Sequence, residues 1–116
     1  MKSYTDIEQS KKLAEILPLE SADMSWVSNG LGKPFARTIS IKGNPEELCA
    51  CWSLAALLNI LTSIDAEQVR LVGFKNYWYC EPIFSDVNHY IGFIDSDNPV
   101  DACYEMILKL HEQKLL

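Results

Sequence analysis

The chain has 116 residues, of which 48% are hydrophobic and 22% are charged. This composition excludes a disordered or low-complexity protein, and the length predicts a single domain over residues 1–116 that folds without disulfide bonds. Ten Lys and Arg residues against sixteen Asp and Glu residues give a formal net charge of −6, so we expect no binding to nucleic acid, which depends mainly on Lys and Arg contacts to phosphate.

The first predicted element is an amphipathic helix over about residues 5–17. Thr5 and Glu8 have the spacing of a capping box, in which the Thr5 hydroxyl caps the helix and Glu8 bonds back to it. Leu13 and Leu17 fall on one face of this helix, and a proline after Leu17 ends it.

Two strands and a second helix follow. Residues 22–28 and 35–42 have the pattern of strands, and the turn-forming residues 29–34 between them predict a hairpin. Residues 52–62 then repeat leucine at the spacing of one buried helical stripe, with Ser53 or a residue just before it as the cap.

The remainder of the chain predicts three strands and a last helix. The strands cover residues 69–74, 77–83 and 89–94, and Lys75 with Asn76 either forms a two-residue hairpin turn or lies in one long bent strand. The last helix runs to about residue 113, and its start is marked by a cap, a proline at the first position and an acid in the first turn: Asn98, Pro99 and Asp101.

The elements therefore follow the order α-β-β-α-β-β-β-α. Because the links between them are short, neighbouring strands should pair antiparallel. We expect an α+β fold in which a twisted antiparallel sheet has helices packed mainly on one face.

The densest aromatic patch of the chain is Tyr77, Trp78 and Tyr79. Alternation along a strand places Tyr77 and Tyr79 on one face of the sheet and Trp78 on the other. If helices cover only one face, the other aromatic set is partly exposed and anchors a partner or ligand. These three residues are the predicted binding site, and a second covering layer or a dimer interface is the alternative reading.

The cysteines offer two further hypotheses. Cys49 and Cys51 lie two residues apart, which is closer than the Cys pairs of structural zinc sites, and Cys80 and Cys103 are isolated in the sequence. We therefore expect buried structural thiols, with no metal or other cofactor. A nucleophile and base pair of Cys51 and His89 is the enzymatic alternative.

The second half of the chain is markedly acidic. Residues 59–116 carry four Lys and Arg against nine Asp and Glu, and no Lys or Arg occurs between Lys75 and Lys109. Asp95, Asp97 and Asp101 resemble the opening of a calcium loop but lack its later glycine and glutamate, so we interpret them as acids around a helix start. This negative charge would suit binding to a basic partner. In a more specific form of the same hypothesis, the chain itself mimics the charge of nucleic acid.

Targeting signals are also predicted to be absent. The first residues lack the apolar segment of a signal peptide, and the longest apolar run, residues 54–61, is too short to span a bilayer. We expect a cytoplasmic protein with reduced thiols and no membrane association.

Three blocks carry a resemblance to a known group of proteins. They are YTDIEQSKKLAEILP at residues 4–18, CWSLAALL at 51–58 and DNPVDACYEMI at 97–107. Together, in this order, they resemble a family of short uncharacterised proteins from gut anaerobes, often encoded in phage-like or other mobile regions. The resemblance implies a bacterial or phage cytoplasmic setting and a scaffold role for the matching blocks, and it implies no catalytic or binding residue.

The sequence therefore favours a small non-enzymatic accessory protein that binds a protein partner or associates with itself. A small Cys/His-dependent enzyme and a metal-binding module are the alternatives.

Overall fold

The computed structural model of the chain describes residues 1–28, 32–38, 47–86 and 90–116. Within these ranges it contains three α-helices and two three-stranded antiparallel sheets. In chain order the elements are α1 (Ile7–Ile16), β1 (Met24–Val27), β2 (Phe35–Thr38), β3 (Glu47–Cys51), α2 (Leu54–Leu61), β4 (Gln68–Gly73), β5 (Trp78–Ile83), β6 (Ile94–Ser96) and α3 (Pro99–Glu112).

The predicted α+β class is confirmed, and the predicted helices and strands occur in the predicted order. The structure adds the strand β3, which the sequence pattern does not indicate. It also divides the strands between two sheets, with the orders β2-β1-β3 and β4-β5-β6.

The first sheet is built around β1. Its register pairs Val27 with Phe35 of β2 and Met24 with Cys51 of β3, both antiparallel. The predicted pairing of the first two strands is confirmed, although β1 is shorter than residues 22–28. Residues 29–31 of the predicted turn and residues 39–42 of the predicted second strand lie outside the described residues.

The prediction that Thr5 caps the first helix is wrong. Asp6 is the N-cap, and its carboxylate accepts a hydrogen bond from the Gln9 N–H at 2.8 Å while the Gln9 side-chain oxygen accepts from the Asp6 N–H at 3.1 Å. This capping box begins one residue later than the predicted one. Asp6 is exposed and free to cap, whereas Thr5 is fully buried and bonded elsewhere.

Thr5 is the centre of a buried polar cluster that joins three parts of the chain. Its hydroxyl lies 2.7 Å from the Ser10 hydroxyl and accepts a hydrogen bond from the Trp52 N–H at 3.1 Å. Its carbonyl accepts from the Trp26 indole N–H at 3.0 Å and from the Cys51 thiol at 3.4 Å. Thr5 thereby holds α1, the first sheet and the start of α2 together.

The second sheet is a meander with β5 at its centre. Cys80 pairs with Leu71 of β4 and with Ile94 of β6. The sequence left two alternatives at Lys75 and Asn76, and the structure has the two-residue turn, because the Phe74 N–H donates to the Tyr77 carbonyl across it at 2.7 Å.

The predicted strand over residues 89–94 is displaced. The observed strand β6 begins at Ile94, and residues 87–89 lie outside the described residues. Gly92 has a φ of 91°, a conformation incompatible with an extended strand, and Tyr90 and Phe93 beside it are exposed. A glycine in this conformation delays the start of the strand.

The main core lies between α2, α3 and one face of the second sheet. Ser53 caps α2, and Asn98 caps α3 by accepting from the Asp101 N–H at 2.9 Å, so both predicted caps are confirmed. The side chains that fill this core are fully buried, among them Leu57, Leu61, Cys80, Cys103, Met106, Ile107 and Leu110.

A charged network ties the N-terminal segment to α3. The Lys2 ammonium donates to Asp101 at 2.8 Å and to Asp6 at 3.2 Å, and the Gln9 amide also donates to Asp101. Burial by itself raises the pKa of Asp101, but the hydrogen bonds from Lys2, Gln9 and Asn98 outweigh it and lower the pKa below its usual value. Burial lowers the pKa of Lys2, and its bonds to both carboxylates reverse this and raise it.

Replacing Thr5 by valine should destabilise the domain strongly. Valine keeps the shape but leaves the buried Trp52 N–H and Ser10 hydroxyl without their partner, so we expect a loss of about 2–3 kcal/mol in the free energy of unfolding. Urea unfolding followed by circular dichroism measures it. The matched control is Thr38→Val at an exposed position of β2, which should change the free energy of unfolding by less than about 0.5 kcal/mol. Equal effects of both variants would contradict the stabilising role of the buried cluster at Thr5.

Asp101→Asn should reduce stability in a pH-dependent manner. Because the folded-state pKa of Asp101 is lowered, its ionised form stabilises the fold above the unfolded pKa of about 3.9, and this contribution disappears as the pH falls through the folded pKa. We expect a loss of about 1–2 kcal/mol near neutral pH, shrinking in more acidic solution. Urea unfolding at a series of pH values from neutral to acidic measures this loss. A loss of stability that does not change with pH would contradict a stabilising role for the ionised Asp101 carboxylate.

Candidate functional site

The alternation of β5 separates two different faces of the second sheet. Cys80 and Pro82 are buried on the face toward the core, whereas Tyr79 and Glu81 lie on the opposite face. The register places Tyr79 opposite Asp95 of β6 and Glu81 opposite Arg70 of β4. The second sheet therefore presents an aromatic and acidic surface on the side that α3 does not cover.

The structure divides the predicted binding residues between these faces. Tyr77 and Tyr79 both line one cavity on the uncovered face. Trp78 shares the other face with Cys80, where its half-buried indole ring covers Gly73. A Cβ atom at Gly73 would lie 2.9 Å from that ring, so the close packing of Trp78 requires glycine there. Trp78 has a packing role in this arrangement.

The cavity on the uncovered face, here called the aromatic cup, has a volume of about 390 Å³. This volume falls in the range of ligand-binding pockets, roughly 300–1,000 Å³. Its lining combines four aromatic rings with two carboxylates: Tyr77, Tyr79, Glu81, Tyr90, Phe93 and Asp95.

Ring contacts around Tyr79 hold the cup in shape. The Phe74 ring stacks on Tyr77 at a centroid distance of 4.7 Å and on Tyr79 at 5.7 Å. The Phe93 ring meets Tyr79 edge to face at 5.7 Å, with 65° between the ring planes. Phe93 is 54% exposed despite its contact with Tyr79, and Tyr90, at the edge of the cup, is 77% exposed. The cup thus offers ordered aromatic surface to solvent.

The electrostatics of the cup are negative. Glu81 and Asp95 supply two carboxylates, and no lysine or arginine is among the lining side chains that the structure describes. Two cations lie just outside this lining: the Lys109 ammonium lies close to Gly92, beside Phe93, and the Arg70 guanidinium Nη1 is 4.0 Å from the Glu81 carboxylate oxygen Oε1. That distance is longer than a hydrogen bond, so the Glu81 oxygens remain able to accept from a ligand.

The predicted Cys and His residues do not form a described site. Cys51, Cys80 and Cys103 are buried and Cys49 is half-buried, all as free thiols, while His89 lies outside the described residues. Burial raises the pKa of Cys49 and of Cys51, in the second case against hydrogen bonds with Thr5 that lower it. Cys51 ends β3 beneath Thr5, where a substrate cannot reach its thiol.

The hydrogen bond between Cys80 and Cys103, together with burial, raises the pKa of the Cys103 thiol. Within residues 1–28, 32–38, 47–86 and 90–116, no three His, Cys, Asp or Glu side chains are close enough to hold a metal ion. Asp101 lies in the first turn of α3. This position agrees with the interpretation of Asp101 as an acid at a helix start.

Comparison of the chain with protein-family models, with curated proteins and with solved structures gives no match. The resemblance to proteins of gut anaerobes stays a prediction. Among the described residues, no helix has both the length and the apolar character needed to cross a membrane.

Sequence reasoning missed part of the cup. Glu81 follows Tyr79 at the strand period of two, and this signal was sufficient to place both on one face. Asp95, Tyr90 and Phe93 come from a separate segment, and only the register of β6 against β5 brings them beside Tyr79.

Iodoacetamide should label the folded chain slowly and at one position. Cys49 is the half-buried thiol, and its raised pKa leaves less reactive thiolate near neutral pH than a free cysteine has. Mass spectrometry of the alkylated chain locates the label, and Cys49→Ser should remove it. Urea-unfolded chain, with all four thiols reactive, is the positive control. Rapid labelling of Cys51 in the folded chain would contradict this account and revive the enzymatic alternative.

Proposed function

We propose that this chain is a small non-enzymatic accessory protein that binds a protein partner through the aromatic cup. The observation that carries the proposal is the cluster of four aromatic rings that line the cup, of which Tyr77, Tyr90 and Phe93 are exposed and Tyr79 is half-buried. Exposed aromatic clusters of this kind are typical of interaction sites, because the rings supply large apolar area while Tyr hydroxyls retain hydrogen bonds.

The stacking around Tyr79 supports a binding role over an incidental patch. Phe74, Tyr77 and Phe93 each contact another ring of the cluster, so their positions are already restricted before a partner arrives. Aromatic side chains have only two rotatable bonds, and a preorganised aromatic surface loses little entropy on binding.

The setting of the proposed function follows from the resemblance and the charge. Proteins of the resembled family are often encoded in phage-like or mobile regions, so we place this protein in the cytoplasm of a bacterium that carries such an element. The net charge of −6 favours a basic partner.

Selection of a displayed random-peptide library tests the proposal. The library is selected on the unaltered chain alone, and the affinity of each enriched peptide is then measured for the unaltered chain and for the variants. We expect enriched peptides to lose at least about tenfold in affinity on Tyr79→Ala, because truncation of a central aromatic removes much of the binding energy. Phe93 also lines the cup but lies outside the strands. Phe93→Ala should therefore weaken the enriched peptides as well, and it separates a loss of binding from a folding defect caused by Tyr79→Ala.

The matched control is Phe35→Ala, which removes a similarly exposed ring from the first sheet and should leave peptide affinity unchanged. Peptides that bind all variants equally would contradict the proposal. So would a dimer in native mass spectrometry that Tyr79→Ala dissociates, since the cup would then be an interface between two copies of this chain.

A further inference from the structure

We infer that the aromatic cup receives an arginine side chain of the partner protein. This inference rests on the proposed function, because it names the group that enters the same cup. It goes beyond that function by assigning separate roles to the rings, to the two carboxylates and to Arg70.

The rings favour a cation of planar shape. The faces of Tyr and Phe rings carry partial negative charge, so they attract cations, and a guanidinium also stacks flat on them. Tyr77 and Tyr79 each stack on Phe74, with interplanar angles to it of 13° and 23°, so both rings are held in place and line the cup with flat aromatic surface.

The carboxylates lie beside those rings. Asp95 is the direct cross-strand neighbour of Tyr79, and Glu81 is its next neighbour on the same face of β5. Glu81 is only 20% exposed, so its interaction with an entering cation is less screened than that of a surface carboxylate. A guanidinium has five N–H donors in a fixed plane and is therefore able to serve two carboxylates while stacked, whereas an ammonium is a compact charge.

Arg70 distinguishes a cationic ligand from an anionic one. Its guanidinium already faces Glu81 across β4 and β5, but at 4.0 Å and with its side chain 46% exposed. A partner's arginine would compete with Arg70 for Glu81, so removing Arg70 should strengthen binding. An anionic ligand would instead need Arg70 as its recognition group, and removing it would weaken binding.

Titration with short peptides tests the inference. The probe is acetyl-Gly-Arg-Gly-amide, compared with the same peptide carrying citrulline, which has the arginine shape without its charge, or lysine. Chemical shifts of the cup residues in two-dimensional NMR report the affinity. We expect arginine to bind about tenfold more tightly than citrulline and also more tightly than lysine.

Variants of the cup sharpen the result. Glu81→Gln and Asp95→Asn should each weaken the arginine peptide several-fold and leave the citrulline peptide unchanged. Arg70→Gln should tighten the arginine peptide, whereas Arg37→Gln, which removes the same charge from the first sheet, should have little effect.

Each contrary outcome overturns the inference. Equal binding of arginine and citrulline, binding of lysine at least as tight as arginine, weaker binding in Arg70→Gln, or no shift of the cup with arginine would each do so. The peptide library tests the proposed function separately. Library peptides that depend on Tyr79 but lack arginine would overturn only the inference and leave the proposed function standing. A library that yields no Tyr79-dependent peptide would overturn the proposed function.

Discussion

In the part of the chain that the structure describes, α3 covers one face of the second sheet and no helix covers the other, and the surface chemistry of that sheet follows from this constraint. The helix α3 packs on β5 and β6 and, together with α2, buries Cys80 and its neighbours on one face. A pleated strand directs alternate side chains to opposite faces, so burial of Cys80 forces Tyr79 and Glu81 outward. With α3 on the Cys80 side, the outward residues form an exposed cup instead of a second core.

Stability and binding are carried by different parts of the molecule. Thr5 links the N-terminal segment, the first sheet and α2 through buried hydrogen bonds, and the Lys2 and Asp101 network links the same segment to α3. The cup residues take part in neither set of contacts. Substitutions in the cup should therefore alter recognition with little effect on folding, which is the usual advantage of a binding surface built on a rigid scaffold.

The sequence predicted those features that depend on neighbouring residues. The caps at Ser53 and Asn98 need only local chemistry, and the structure has both, whereas local chemistry left a hairpin turn and one long bent strand as alternatives at Lys75. The overlapping stretches TDIE and DIEQ both fit a capping box, and only the tertiary burial of Thr5 selects the second. The faces of Tyr79 and Trp78 were distinguishable by alternation, but which face is covered depends on where α3 docks. The contribution of Asp95 depends on strand register, which no local pattern encodes.

The central claim is that an arginine lies between the rings and carboxylates of the uncovered face. Intermolecular nuclear Overhauser effects locate it most directly, using the arginine peptide with isotope-labelled protein. The account predicts contacts from the arginine side-chain protons to the rings of Tyr77 and Tyr79. Contacts confined to Trp78, to α3 or to the first sheet would contradict it, because the bound group would then lie outside the aromatic cup.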